Sequence, residues 1–209
     1  MSIRLDIAAA MLTAVSCLPA AETSAAEASS PALSWNCAGC HGPDGVSAGP
    51  TLPSIAGMDP RYFIALMRDF GSDKRWSTVM GRIARGYDSL ELRTLALYFA
   101  NRDWVPARAS ANSTLADRGA AIHEEHCVEC HDEDGRYQDK EIPRLAGQWP
   151  QYLLMQLRDY RSERVPMPQP ARMRERLAGL SDEDLAAVSV FYGQVDASRA
   201  TPTEDSSTD

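Results

Sequence analysis

One short motif of two cysteines and a histidine occurs twice in this 209-residue chain. The first copy, Cys-Ala-Gly-Cys-His, occupies residues 37–41, and the second, Cys-Val-Glu-Cys-His, occupies residues 127–131. The same ninety-residue offset continues without a gap into the similar segments 52–57 and 142–147. Self-similarity over this length predicts a duplicated unit, with one motif in each of two small domains.

Cys-x-x-Cys-His is the attachment pattern of haem c. Two thiols three positions apart can add to the two vinyl groups of one porphyrin, and the adjacent histidine then reaches the iron from one face. We therefore predict two covalently bound haems c. The attachment residues and proximal ligands are Cys37, Cys40 and His41 for one haem and Cys127, Cys130 and His131 for the other.

Other uses of a Cys-x-x-Cys pair fit this sequence less well. A zinc site built from two such pairs usually separates them by about 15–20 residues, far less than the spacing found here. A thioredoxin-like redox pair needs a strand–helix context, and no alternating strand pattern of useful length is present. A structural disulfide within one motif would be strained. The in-register duplication of the complete motif, histidine included, favours haem attachment over all three.

The second axial ligand of each iron must come from elsewhere in the chain. Of the four histidines, His123 and His126 lie just before the second motif, on the predicted helix that leads into it, and are expected to be packing or surface residues. Methionine is the natural substitute, and His/Met ligation raises the reduction potential of a haem. In the first repeat Met80 is the candidate, in a polar, glycine-containing loop before the helix that begins near Ser89.

The second repeat offers two candidate methionines, Met167 and Met173. Met80 precedes Leu92 by twelve residues, and Met173 precedes Leu185 by the same number, which makes Met173 its repeat equivalent. We therefore favour Met173, with Met167 as the alternative. Met67 and Met155, on the mid-domain helices, are expected to be core residues.

Several other residues recur at equivalent positions of the two repeats. The pairs Arg68-Asp69 and Arg158-Asp159 offer a contact to a haem propionate or a surface ion pair, and the sequence leaves both alternatives open. The aromatic residues on the predicted helices are expected to pack around the haems. They are Tyr62, Tyr98, Trp149, Tyr152 and Tyr192.

Apolar periodicity predicts an all-α fold, and the repeat predicts two small tandem domains, each with one covalently bound haem. The predicted helices cover residues 34–38, 60–70, 89–101, 114–126, 150–160 and 181–192, the last with a capping box from Ser181 to Asp184. The predicted boundaries are 29–103 for the first domain, 104–113 for the linker and 114–194 for the second domain. Domains this small need the haem to complete their cores.

Both ends of the chain are predicted to lie outside these domains. Residues 1–28 are typical of a secretory signal peptide cleaved between about residues 20 and 28, which would also remove Cys17. The apolar stretch of that segment is too short and interrupted for a stable membrane span, so we expect a periplasmic protein. Residues 195–209 are rich in Ser, Thr and Asp and are expected to be disordered. A net charge of −8 argues against a nucleic-acid partner.

With these motifs in place, residues 34–194 resemble the soluble class I dihaem cytochromes c. The resemblance implies an all-α fold of two tandem cytochrome c domains, each wrapped around one covalently bound haem. The segments 143–148 and 181–184 are general features of that family. The segments 53–60 and 77–87, together with 145–149 and Arg164-x-Pro166-Met167, resemble more specifically the cytochrome subunit of flavocytochrome c sulfide dehydrogenase.

The resemblance implies an electron-transfer function. In that family a flavoprotein subunit oxidises sulfide at FAD beside a redox-active disulfide, and the dihaem subunit passes the electrons to a soluble cytochrome c. FAD would be carried by the partner only. The haem ligands then fall on His41 with Met80 and on His131 with Met173. The family pattern has a shorter loop than residues 167–173 provide here, which is a departure at the second distal ligand.

Two other functions compete with this interpretation. One is a free periplasmic dihaem cytochrome that delivers electrons to a terminal oxidase, which shares every haem motif. The other is a dihaem peroxidase, which needs one haem with an open or displaceable ligand position. Matched methionines in both repeats argue against the peroxidase.

The duplicated motif predicts two covalent haems on one chain. The purified mature protein should weigh two haems more than its polypeptide, because each pair of thioethers survives denaturation. Mass spectrometry of the denatured protein measures this directly, and a mass increase of one haem or none would contradict it.

Overall fold

A computed structural model describes residues 25–109 and 112–195 of the chain. Every regular element within these residues is helical. The first half contains α1 (Ala25–His41), α2 (Pro60–Gly71), α3 (Met80–Ala84) and α4 (Ser89–Ala100). The second half contains α5 (Ser113–Ile122), α6 (Asp132–Gly135), α7 (Pro150–Arg161), α8 (Ala171–Ala178) and α9 (Asp182–Gln194). A 3-10 turn spans Pro43–Gly45, and a π-helical turn spans His123–Cys127.

The six predicted helices are all present, with small differences at their ends. The helix leading into the first motif is the exception, because α1 begins at Ala25 and is much longer than residues 34–38. The helix leading into the second motif continues as predicted, but its last five residues form the π-helical turn. The short helices α3, α6 and α8 were not predicted, since each is eight residues or fewer and carries no clear apolar period.

Side-chain caps fix where the long helices begin. The Asp59 carboxylate accepts hydrogen bonds from the backbone N–H groups of Arg61 and Tyr62 at the start of α2. At α9, Ser181 and Asp184 form the predicted capping box. Such caps satisfy N–H groups that have no partner inside the helix, each contributing about 1 kcal/mol.

Each half has its own apolar core. In the first half the core lies between α1, α2, α3 and α4, and its buried residues are Ile55, Phe63, Met67, Ala84, Leu92, Leu95, Ala96 and Phe99. In the second half the buried residues are Ile122, Leu153, Leu177, Leu180, Leu185, Ala187, Val188 and Tyr192. The domain boundaries remain a prediction, but two separate cores agree with a duplicated unit.

The loop after each motif is held by equivalent backbone hydrogen bonds in the two halves. The Gly45 carbonyl accepts hydrogen bonds from the N–H groups of residues 55 and 56, and the Gly135 carbonyl accepts from residues 145 and 146. Gly57 N–H then donates to the Phe99 carbonyl at 2.8 Å, and its repeat equivalent Gly147 donates to the Tyr192 carbonyl at 2.7 Å. All four glycines have positive φ, which side-chain-bearing residues rarely adopt. The repeat therefore extends to backbone geometry.

Hydrogen bonds join the two halves. The Gln148 side-chain amide pairs with the backbone of Ser54, accepting from its N–H at 3.0 Å and donating to its carbonyl at 2.9 Å. Trp149 Nε1 donates to the Ser47 carbonyl at 3.1 Å. The Gln138 side-chain amide donates a hydrogen bond to the Gly57 carbonyl at 2.8 Å. These contacts could not be predicted from the sequence, because a glutamine that bonds to the backbone of a distant segment has no local pattern.

Both predicted terminal segments lie largely outside the described residues. Residues 1–24 of the predicted signal segment and residues 196–209 of the predicted tail lie outside the described residues. Residues 25–28 form the beginning of α1. Within the described part of the chain, no helix has the length and apolar character needed to cross a bilayer.

Gly119 lets α5 pack directly on α9, which gives a test of this fold. A Cβ at residue 119 would lie 2.2 Å from the Ala187 carbonyl oxygen, so backbone would have to move. We expect Gly119→Ala to lower the free energy of unfolding by about 1–3 kcal/mol, as overpacked sites do. Chemical denaturation of the haem-loaded protein measures the change. Gly179→Ala is the matched control, since nothing lies within 4 Å of a Cβ there, and equal stability of the two variants would contradict this packing.

Candidate functional site

The first motif forms the last turn of α1. Cys37 is half-buried against the first core, Cys40 is exposed, and both carry free thiols. Burial raises the pKa of the Cys37 thiol, with a further contribution from Cys40. The helical turn places one thiol at the apolar interior and the other at its rim. This is the arrangement in which a porphyrin bound to both would lie over the core edge.

His41, at the end of the same turn, is held by a hydrogen bond. Its side chain is buried, and Nδ1 lies 2.8 Å from the Pro53 carbonyl oxygen. Because a carbonyl only accepts, Nδ1 carries the hydrogen and Nε2 keeps its lone pair. Burial lowers the pKa of His41, and the Pro53 bond opposes this only in part, so the ring is neutral near pH 7. A neutral imidazole with a fixed ring is what an iron ligand requires.

The second motif begins in the π-helical turn and ends just before α6. Cys127 is half-buried and Cys130 exposed, as in the first motif. Burial, and to a lesser degree the neighbouring His123, lowers the pKa of His131 to about 4, so this ring is also neutral near pH 7. His41 and His131 differ in one respect. His131 Nδ1 is buried and has no hydrogen-bond partner among the described residues.

Met80 lies at the edge of the first core, against which Cys37 also packs. The sequence placed Met80 in a loop, and this was wrong, because Met80 is the first residue of α3. The Ser77 hydroxyl explains the early start, since it accepts a hydrogen bond from Gly81 N–H at 2.8 Å. His41 ends α1 and Met80 begins α3, and both helices contribute residues to the first core.

The second half distinguishes the two candidate methionines. Met173, on α8, packs against the second core together with Cys127. Met167 is buried but does not belong to that core. Its neighbour Pro166 accepts a hydrogen bond from Trp76 N–H at 2.8 Å, which ties this segment to the first half. These contacts support Met173 as the proposed distal ligand.

The remaining histidines and methionines have other roles in the structure. His123 is a packing residue, as predicted: it is buried, its Nδ1 lies 2.9 Å from the Tyr192 hydroxyl, and its ring lies against Phe191. Met67 is buried in the first core, also as predicted. The expectation for Met155 was wrong, because its side chain is 47% exposed on the outer face of α7.

Comparison with known proteins identifies the family. The family model named cytochrome c matches residues 116–194. A cytochrome c4 of Azotobacter vinelandii is 31% identical over 175 residues, covering 74% of this chain and 82% of that protein. This chain belongs to the cytochrome c family. It is related to the dihaem cytochromes c4, and it is an electron-transfer dihaem cytochrome.

Two further comparisons place this dihaem cytochrome among its relatives. The crystal structure of reduced recombinant cytochrome c4 from Pseudomonas stutzeri superposes with a TM-score of 0.72 at 25% identity, over 82% of this chain and 98% of that one. This confirms the predicted all-α fold of cytochrome c domains. The cytochrome subunit of sulfide dehydrogenase from Chlorobaculum tepidum is 49% identical over 69 residues, which is 33% of this chain and 62% of that subunit.

Membership of the cytochrome c family implies covalently bound haem c. The residues present fit this group in each half: free thiols at the core edge, a neutral proximal histidine and a methionine on the same core. When bound, each haem iron takes up and releases one electron. We propose Cys37, Cys40, Cys127 and Cys130 as the attachment residues, and His41, Met80, His131 and Met173 as the axial ligands.

The placement of the two methionines in the second half generates a prediction. Methionine–iron bonding gives a weak absorbance near the red end of the oxidised spectrum, to which each haem should contribute about half. Met173→Ala and Met80→Ala should each remove that half. Met167→Ala is the control and should leave the band intact. The opposite result for the pair Met167 and Met173 would assign the second ligand to Met167.

Proposed function

We propose that this dihaem cytochrome is the electron-transfer subunit of a sulfide-oxidising flavoenzyme. It would accept electrons from an FAD-bearing flavoprotein subunit and pass them to a soluble cytochrome c. FAD would belong to the partner, and this chain would contribute the two haems, their ligands and the docking surfaces.

The observation that best supports this proposal is the sequence identity, over part of the chain, to the cytochrome subunit of a sulfide dehydrogenase. The 49% identity to the sulfide dehydrogenase cytochrome subunit is well above the 31% identity to cytochrome c4, although it covers a shorter stretch. The residue patterns 53–60 and 77–87 point the same way. Both segments lie beside the proposed first haem site, where a subunit-specific surface is expected to differ from a free carrier.

The distribution of exposed apolar side chains supports a stable partner. Among the described residues, most of the large apolar side chains that are exposed belong to the first half, including Trp35, Leu90 and Leu97 at 74%, 66% and 58% exposure. The first half also has an open groove between α1, α3 and α4, whose lining includes Leu33, Ile83 and Tyr87. Apolar side chains concentrated in one region are typical of a protein–protein contact.

A free dihaem carrier that delivers electrons to a terminal oxidase is the second candidate. The alignment with cytochrome c4 favours it, because that alignment covers most of both chains. A free carrier needs only small, transient docking surfaces. The two functions therefore differ in whether the native protein has a lasting partner.

For the site of action we propose the periplasm. The support is the N-terminal pattern of a weak positive start, an apolar stretch and small residues.

Gel filtration of the native protein at low and high salt tests the proposed partner. A complex held by apolar burial should elute intact with its flavoprotein under both conditions, because salt screens charge contacts and not apolar burial. Sulfide should reduce both haems of that complex but not of the isolated chain. Elution as a lone cytochrome at both salt concentrations, with rapid donation to a membrane oxidase, would establish the free carrier instead.

A surface variant sharpens this test. Leu90→Glu places a charge in the exposed apolar region, at the first turn of α4 where an acidic residue is compatible with the helix. We expect it to weaken the flavoprotein complex at least tenfold while leaving the haem spectrum unchanged. Met155→Glu makes the same kind of change on α7 of the second half, where it should have little effect. Equal effects of the two variants would contradict docking on the first half.

A further inference from the structure

His123 is a buried histidine with one ring nitrogen that has no partner. It is 1% exposed and begins the π-helical turn before the second motif. Its Nδ1 lies 2.9 Å from the Tyr192 hydroxyl, whereas its Nε2 is buried and makes no hydrogen bond with a described residue. Leaving a buried polar atom unbonded costs free energy, so Nε2 gains from any group that bonds to it.

The contacts of Tyr192 show which ring nitrogen carries the hydrogen. The Tyr192 hydroxyl also hydrogen-bonds the Cys127 sulfur, and it must be the donor there, because a haem-bound sulfur has no hydrogen to give. Its oxygen therefore accepts from Nδ1 of His123, which leaves a lone pair on Nε2. Burial lowers the pKa of His123, although neighbouring carboxylates oppose this, so the ring is neutral near pH 7.

Two carboxylates lie close to this ring. One nitrogen of His123 and one oxygen each of Glu124 and Asp134 all lie within 4.8 Å of one another. Zinc bonds of about 2.1 Å at tetrahedral angles place ligand atoms about 3.4 Å apart, so these atoms need to move by only about 1 Å. Both acidic side chains are exposed, which leaves them room to do so. Among the described residues Glu124 makes no ion pair, and Asp132 adds a further negative field at the ring.

We propose that His123, Glu124 and Asp134 form a binding site for one divalent cation of the Zn²⁺ type, beside the second haem motif. An imidazole nitrogen with two carboxylates is a ligand set that Zn²⁺ accepts, whereas Ca²⁺ and Mg²⁺ prefer oxygen ligands alone. His123 and Glu124 precede the motif and Asp134 follows it, so a bound cation ties the π-helical turn to the loop after His131.

One existing contact competes with the cation. Asp134 forms an ion pair with Arg136 at 3.1 Å. The Asp134 side chain is 49% exposed in this pair, and exposed ion pairs are weak, so a cation bound to three protein ligands should displace it.

The first half lacks this set of ligands. At the equivalent positions, ninety residues earlier, it has Leu33, Ser34 and Asp44, so that only one of the three ligands is retained. The Asp44 carboxylate accepts a hydrogen bond from the Tyr98 hydroxyl at 2.8 Å. The site is therefore a property of the second half. It requires neither the flavoprotein nor sulfide, so it can fail independently of the proposed function.

The number of competing nitrogen ligands is small in the haem-loaded protein. The chain has four histidines, and His41 and His131 are the proposed iron ligands. The remaining one besides His123 is His126, whose Nε2 lies 3.6 Å from the Glu125 carboxylate. His126 and Glu125 thus provide matched controls for His123 and Glu124.

Calorimetric titration of the mature, haem-loaded protein with zinc chloride tests the site. We expect one zinc ion to bind per chain. Glu124→Gln and Asp134→Asn should each weaken binding about tenfold or more, since each removes one of three protein ligands. Glu125→Gln removes the same charge one residue along the chain and should change the affinity less than twofold. Calcium chloride should bind at least tenfold more weakly than zinc chloride.

The histidine variants identify the nitrogen ligand. His123→Leu introduces the residue that the first repeat has at this position and should abolish zinc binding, whereas His126→Gln should leave it unchanged. Should His123→Leu fail to fold, the two carboxylate variants decide the question. The proposal is wrong if no saturable binding occurs at millimolar zinc, or if His126→Gln abolishes it. Equal weakening by Glu124→Gln and Glu125→Gln would also overturn it, because that result indicates diffuse attraction to an acidic surface.

Discussion

Covalent haem attachment is the constraint on which the rest of this structure depends. Each half buries only a small set of apolar side chains, too few to stabilise so short a unit without help. The half-buried cysteine and the proposed axial methionine border that core in both halves, so a porphyrin held between them adds a large apolar plate to the existing packing. Haem binding and folding are then coupled, in the way that metal binding and folding are coupled in other small domains.

A good part of this could be predicted from sequence, for identifiable reasons. The attachment motif is contiguous, and its in-register duplication predicts two similar domains. Ser181 and Asp184 predict a helix start, because a capping box forms through local hydrogen bonds. What failed depends on distant contacts. Met155 has an apolar side chain on an amphipathic helix, yet nothing local says which face is turned outward. The burial of Arg75 has no local signal either, because its side-chain hydrogen-bond partners lie more than eighty residues away.

The contact between the halves is polar where the two cores are apolar. Gln148 bonds to both backbone groups of Ser54, and the equivalent position of the first repeat is Met58, which has no amide to offer. The duplicated unit therefore acquired an asymmetric interface. A polar interface fixes orientation through directional hydrogen bonds, and it leaves room for charged groups that an apolar one would exclude. Two haems that exchange electrons need a fixed separation, which such an interface can maintain.

The same asymmetry suits a protein with two different contacts. Most exposed apolar side chains of the described residues lie in the first half, while the whole chain carries a net charge of −8. Apolar burial gives a contact that persists, because its free energy scales with the area removed from water and is insensitive to moderate salt. Charge gives rapid, brief encounters, because it steers diffusion over about a Debye length. A subunit that must stay bound to its electron donor and release its acceptor after each turnover needs both properties on separate surfaces. In the proposed function, the apolar side chains of the first repeat would hold the electron donor, and the second repeat would remain free for the acceptor.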